Sequence, residues 1–200
     1  MTESFEVRLR DGARVTARPL APGDRGAVAE VYRALSPEGR YHRFWTHTGE
    51  EIGEKMLDRI LAVDPANHGV WGIIDPSREI IGVGGASWWR CAHHPEEAEI
   101  AVTVLDRDQG RGVGTLLLAI MWLSAFDAGI RRLVAYAHAD NRRAAGWMNR
   151  CGACGEWDGY KLVFRWDLDD LDRLPATRPA AELAAWLAEL APRLLNRPIP

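Results

Sequence analysis

The chain has 200 residues, is 47% hydrophobic and 26% charged, and carries a formal net charge of −3, the composition of one globular domain of ordinary size. No basic field advertises nucleic acid or anionic lipid. The start, MTESFEVRLRDG, lacks the zones of a signal peptide, and the longest apolar stretch, Leu116 to Leu123, is too short to span a membrane. Three cysteines do not make a disulfide framework, so a cytoplasmic protein with reduced thiols is expected.

Val7 and Leu9, then Val15 and Ala17, alternate with polar residues around Asp11–Gly12, the strongest short hairpin signal. Asp24 is expected to cap a helix with Val28, Val31, Tyr32 and Leu35 on one face. Ser36–Pro37 reads as a second helix start, and Ile52, Met56, Leu57, Ile60 and Leu61 form a third helical stripe. The period then shortens. HGVWGIID and EIIGVGGASWWR read as strands separated by PSR, and EEAEIAVTVLD as another strand, reached through a turn around His93, His94 and Pro95.

Thr115 to Ala128 reads as a helix apolar on nearly every face, hence buried, with Gly129 as its stop. RRLVAYAH is a strand. Asp140 or Asn141 opens a helix through Cys151, stopped by Gly152, and YKLVFRWDL is the last clear strand. Strands 96–106 and 131–138, joined by the buried helix, make a crossover and therefore a parallel pair. The other connections are hairpin-like, so the class is α+β with a mixed sheet. Composition shifts near Asp169: residues 1–170 are expected to form the main domain. Residues 171–200 add a linker and a helix from Pro179 with Leu183, Trp186, Leu187, Leu190 and Leu194 on one face, docked on the domain or on a second subunit.

The stretch DRDQGRGVGTLLL puts three glycines in five positions between a strand and a helix. Helix N-termini carry unpaired N–H groups and positive dipole character, and glycines let a phosphate approach the backbone. A P-loop needs Gly-Lys-Ser/Thr, and no such lysine is present. The dinucleotide fingerprint fails as well, because Thr115 or Leu117 stands where its third glycine belongs. Gln109, Gly112 and Gly114 do satisfy Gln/Arg-x-x-Gly-x-Gly/Ala.

That stretch resembles the acyl-CoA-binding motif of the GNAT superfamily of N-acetyltransferases. The likeness extends to the strand AEIAVTVLDRD, the helix and strand that follow, and NRRAAGWMNRCG, with Asn141 eleven residues before Gly152. In element order it covers roughly residues 6 to 168. It implies a mostly antiparallel sheet, flanked by helices, with a splayed parallel pair. It also implies acetyl-CoA as co-substrate and no metal. The pyrophosphate would lie on the N–H groups of Gly110, Arg111, Gly112, Val113, Gly114 and Thr115, and the pantetheine arm would pair with backbone near Val102 and Val104. Asn141 would meet that arm, or cap its helix, or both. LSPEGRYHRFW is similar to a segment of bacterial Pat-type protein lysine acetyltransferases; Arg40, Tyr41, Arg43, Phe44 and Trp45 either line an acceptor cleft or face the core.

Alkylamines are mostly protonated at neutral pH, so transfer to an amine needs a base. Glu99, on an otherwise apolar run leading to the glycine loop, matches the glutamate that Pat-type enzymes use in this role. Glu97 shares its parity, which also fits two polar residues on a solvent-facing side. Many family members place a tyrosine acid seven residues after the helix asparagine. Here Met148 stands there, leaving an unassisted thiolate, or Tyr136 or Tyr160 as substitutes. A protein lysine is the leading acceptor, a small-molecule amine the second, and a catalytically silent CoA-binding module a third reading. Cys91, His93, His94, Cys151 and Cys154 offer zinc-type ligands, but their spacing matches no standard zinc motif. Cys151 and Cys154 follow a helix where a redox pair would open one. His138, at a strand end, either hydrogen-bonds the acceptor or is an ordinary strand-end residue.

Overall fold

The computed structural model describes residues 4–47, 49–77 and 82–195. Eight strands form one sheet in the order β1-β2-β3-β4-β5-β6-β8-β7. The strands are β1 (Phe5–Arg8), β2 (Arg14–Pro19), β3 (His68–Ile74), β4 (Gly82–Cys91), β5 (His94–Val104), β6 (Arg132–Ala137), β7 (Cys154–Trp157) and β8 (Leu162–Asp167). The helices are α1 (Arg25–Ala34), α2 (Pro37–Phe44), α3 (Glu54–Leu61), α4 (Val113–Asp127), α5 (Arg142–Arg150) and α6 (Arg178–Leu194). The sheet is mostly antiparallel, and β5 and β6 are parallel. This is the expected α+β class. Residues 79–81 of the fourth expected strand segment lie outside the described residues.

Contacts divide the chain into two compact units, one within residues 1–87 and 102–117, the other within 88–101 and 118–200. In the first, β1 and β2 pair from Phe5↔Ala17 to Arg8↔Arg14, turning through Gly12 at a φ of +85°. β2 then pairs with β3. Val7, Val15, Ala17, Tyr32, Leu57, Leu61 and Ile73 are buried. Ser36 caps α2 as expected, accepting from Gly39 N at 3.1 Å. Asp24 stands at the start of α1 but makes no side-chain cap. Its carboxylate accepts from Arg18 (3.0 and 2.5 Å) and from Ala21 N (2.7 Å), because a guanidinium offers a stronger, two-point partner than one helix N–H. Arg40 is the buried member of α2, donating to Leu35 O at 2.7 Å, and Trp45 is exposed.

In the second unit β6 pairs with β8 over all six of its residues, and β7 closes the sheet edge beside β8. The residues of β7 are all exposed, so it has no alternation to read in sequence. At Gly155 a side chain would meet the Phe164 ring at 2.5 Å. Trp122 Nε1 donates to Leu168 O (3.2 Å), Trp166 Nε1 to Cys151 O (3.0 Å) and Trp88 Nε1 to Ser124 Oγ (3.0 Å), which satisfies three buried indoles. Helix α4 begins two residues earlier than expected, and every side chain from Leu116 to Leu123 is buried. Among the described residues, no helix is long and apolar enough to cross a membrane.

Thr177 caps α6, accepting from Ala180 N at 3.2 Å. Leu183, Trp186, Leu187, Leu190 and Leu194 are buried within the chain, so the stripe needs no second subunit to cover it. Truncating a buried leucine costs about 2–5 kcal/mol. Leu187→Ala should therefore lower the melting temperature, and deletion of residues 176–200 should lower it further. Unchanged melting and sedimentation of the truncated chain would show that the helix contributes nothing to the fold.

Candidate functional site

In the first unit, β5 ends in a short turn and a glycine loop. Leu105 N donates to Val83 O (3.1 Å), and Asp106–Asp108 form a single 3-10 turn. Gln109 Nε2 donates to Val104 O and to Asp106 Oδ1, both at 3.2 Å. Gly110 and Gly112 have φ of +81° and +95°, a region that residues with a side chain enter only under strain. Val113 and Gly114 then open α4, where N–H groups precede the first i−4 acceptor. Leu116 N is the first to reach back, to Gly112 O at 3.0 Å. Val113 and Thr115 are buried.

Of the backbone at Val102 and Val104 on β5, the Val104 carbonyl already holds the Gln109 amide. The Arg111 side chain turns to carboxylates: Nε is 2.5 Å from Asp11, Nη2 is 3.4 Å from Asp75, and Nη1 pairs with Asp108. Nothing in the linear pattern singled out Asp11, Asp75 or Asp108 as its partners. Arg43 Nε of α2 donates to Thr103 Oγ1 of β5 at 3.1 Å.

In the second unit, the parallel register runs Glu97↔Arg132, Ala98↔Leu133 and Glu99↔Val134, and β6 continues three residues further beside β8. Glu97 is tied to Arg132 Nη1 at 2.7 Å, and Arg132 Nε also donates to Asp167 at 3.0 Å. Glu99 is exposed between buried Ala98 and Ile100, so the apolar run belongs to the opposite face of the strand. Among the described residues no cation pairs with it.

Near Glu99 lie Tyr136 of β6 and Cys91 of β4. Burial pushes the Tyr136 phenol up, against the pull of the Lys161 ammonium, whose Nζ lies 3.7 Å from the ring centroid; the Glu99 charge adds to the rise. Burial also pushes the Cys91 thiol up, followed by the charge of Glu97, while the Glu99 backbone opposes the rise. Asn141 caps α5, its Oδ1 accepting from Ala144 N at 3.1 Å, so the cap engages the side-chain oxygen. Met148, at the place of the family tyrosine, is buried. Among the described residues no group of three or more His, Cys, Asp or Glu side chains is placed to hold a metal ion. None of the three cysteines is in a disulfide: Cys91 is half-buried, Cys151 buried and Cys154 exposed.

A strand leading through a glycine turn into a buried helix, with β5 and β6 parallel in a mostly antiparallel sheet, is the arrangement that the sequence resemblance implied. The chain belongs to the GNAT acetyltransferase family: the profile of the acetyltransferase (GNAT) domain matches residues 14–153. Acetyltransferase Pat of Mycolicibacterium smegmatis is 31% identical over 170 residues, covering 84% of this chain and 50% of its own length. The chain thus spans half the length of that relative. The crystal structure of the GNAT domain of S. lividans PAT superposes with a TM-score of 0.75 at 24% identity, covering 82% of this chain and 96% of that one. YncA from Salmonella typhimurium, a structure with its cofactor acetyl-CoA, gives 0.60 at 20% identity over 78% of this chain and 95% of its own.

A thiol whose pKa is raised holds less thiolate at a given pH, and thiolate is the form that alkylates. Cys91 should therefore resist iodoacetamide at pH 7.5 while exposed Cys154 reacts, and should gain reactivity as pH rises past 9. Peptide mapping by mass spectrometry checks this; equal labelling of both at pH 7.5 would contradict it.

Proposed function

We propose that this chain moves the acetyl group of acetyl-coenzyme A onto a primary amine, a protein lysine in the leading case, with Glu99 as general base. The observation that carries the reading is the contrast between two carboxylates of one strand. Glu97 is neutralised by Arg132, whereas Glu99 is exposed and unpaired among the described residues, on the strand that runs into the glycine loop. A base must have an open lone pair to accept the proton of an incoming ammonium. The lysine acceptor rests on the Pat-like segment around Ser36–Trp45 and on the identity with Pat. Residues 1–170 act in this reading as the catalytic domain, and 171–200 as an appended linker and helix.

The co-substrate supplies an activated acetyl thioester. Gly110, Arg111, Gly112, Val113, Gly114 and Thr115 would receive its pyrophosphate on backbone N–H groups, with Gln109 holding the turn. The positive φ at Gly110 and Gly112 suits such a cradle. Val102 and Val104 would pair with its arm, and the amide nitrogen of Asn141 would serve the same arm while the oxygen caps α5. Glu99 would take the ammonium proton, the amine lone pair would attack the thioester carbonyl, and the C–S bond would break to release coenzyme A, whose thiolate takes the proton shed by the new amide nitrogen.

Glu99→Gln keeps size and polarity but cannot accept that proton. It should lower kcat by ~10²–10⁴-fold at neutral pH and leave the KM for acetyl-CoA nearly unchanged. The deficit should shrink at high pH, where more amine is already neutral. A pH series of kcat with a lysine peptide and a panel of small amines tests both the base and the acceptor. A mutant within a few-fold of wild type at neutral pH would move the base to another residue, and turnover of small amines alone would remove the protein lysine.

Gly112→Asp puts a side chain and a negative charge where the pyrophosphate is expected. It should abolish binding of coenzyme A by calorimetry while the circular dichroism of the fold survives. Gly112→Ala carries the same backbone strain without the charge, so the difference between the two isolates the anion site. Unchanged affinity in the aspartate variant would remove the loop from the reading.

A further inference from the structure

We propose that Arg111 is a positioning residue: its guanidinium, clamped by Asp11, Asp75 and Asp108, holds the glycine loop in its receiving conformation, and does not itself touch phosphate. The proposal rests on the reading of that loop as the pyrophosphate cradle. An arginine inside a phosphate-binding loop would ordinarily be read as a phosphate ligand, since the guanidinium fork matches a phosphate as well as a carboxylate. Here Nε, Nη1 and Nη2 each already meet a carboxylate. Its side chain is 14% exposed and meets three carboxylates: Asp11 at 41%, Asp75 at 2% and Asp108 at 0% exposure.

The three partners come from three separate places in the chain. Asp11 sits in the β1–β2 turn, where its other oxygen accepts from Ala13 N at 3.0 Å. Asp75 follows β3 and is itself fixed by Ser77 N (3.1 Å) and Ser77 Oγ (2.5 Å). Asp108 belongs to the 3-10 turn that leads into the loop, with its N donating to Leu105 O at 2.8 Å. One guanidinium therefore ties the loop to a hairpin, to a strand end and to its own approach turn. A cation with one carboxylate partner can swing; one with three on separate anchors cannot do so without breaking at least two charged contacts.

A second arginine works on the loop backbone. Arg10 Nη2 donates to Gly110 O at 2.9 Å. In a planar trans peptide the C=O and N–H point in opposite directions. Holding the Gly110 oxygen therefore also sets the direction of the Arg111 N–H, one of the expected pyrophosphate donors. Both glycines of the turn have positive φ and wide conformational freedom, so the loop carries no intrinsic preference for this shape. The side chains of Arg10 and Arg111 supply what the glycines lack. Arg107 Nε, 3.6 Å from Asp108, adds a second cation beside the clamp.

The two roles for Arg111 predict opposite signs. If Arg111 bound phosphate directly, removing a competing carboxylate would free it, and Asp11→Asn would tighten binding of acetyl-CoA. If Arg111 positions the loop, Asp11→Asn loosens the clamp and weakens binding. We expect the KM for acetyl-CoA to rise several-fold in Asp11→Asn, with kcat at saturation and the KM of the amine unchanged, and about tenfold or more in Arg111→Met. Arg111→Lys, which keeps one contact, should fall between.

Acetylpantetheine, which lacks the pyrophosphate, supplies the control. Its turnover should be the same in wild type and in Asp11→Asn, whereas a general loss of structure would depress both donors. A tighter Asp11→Asn variant, an Arg111→Met variant with unchanged KM for acetyl-CoA, or equal losses with both donors would each overturn the clamp. Should Arg111→Met fail to fold, half-exposed Asp11→Asn still decides the sign. If wild type itself uses acetylpantetheine as well as acetyl-CoA, the pyrophosphate cradle fails, and the clamp with it. That outcome is distinct from a wild type that prefers acetyl-CoA beside clamp variants that do not differ from it.

Discussion

Helix α4 has no polar face, and the rest of the structure depends on that constraint. Every side chain from Leu116 to Leu123 is buried, so the helix must be covered all round and cannot shift outward to ease its connections. The chain has to pass from the end of β5 into this buried helix within a few residues. Two glycines with positive φ make that turn, and their compact path leaves backbone N–H groups at a helix start. The same helix returns the chain to β6, which makes β5 and β6 parallel in an otherwise hairpin-built sheet.

The charged residues around these elements divide by whether they are satisfied. Glu97, Arg132 and Asp167 join three adjacent strands by ion pairs. Arg111 and its three carboxylates bind the loop to its neighbours. These groups are held by charged partners. Glu99 lies two residues from Glu97 on the same side of β5, yet no cation faces it among the described residues. Two identical side chains at equal parity thus differ through what the adjacent strand brings opposite them: Arg132 opposite Glu97, and Val134 opposite Glu99.

Local chemistry was legible wherever a short-range interaction decides. Asp11–Gly12 announced the first hairpin, Ser36 and Asn141 announced helix starts, and glycines 129 and 152 announced helix ends, because each acts within four residues of itself. The parallel pair followed from the length and burial of the connecting helix. Legibility failed where a distant partner outcompetes the local one. Asp24 had the position of a helix cap, but Arg18 took its carboxylate. Strand β7 was not anticipated, since an edge strand with all four residues exposed has no hydrophobic period. Glu99 lies on an apolar run in sequence, but alternation along the strand puts that run on the other face.

By itself the sequence determined the class of fold, the order of its principal elements and the glycine turn, which follow from periodicity, turn chemistry and residue spacing along one dimension; the family entered through the resemblance of its glycine motif. Only the tertiary structure decided which charges are spent and which remain. Asp11 and Arg111 are a hundred residues apart in the chain and 2.5 Å apart in space. An ion pair depends on distance through space, so no linear pattern records that the arginine of the loop is held by a hairpin turn, or that one glutamate of β5 is paired and the next is not.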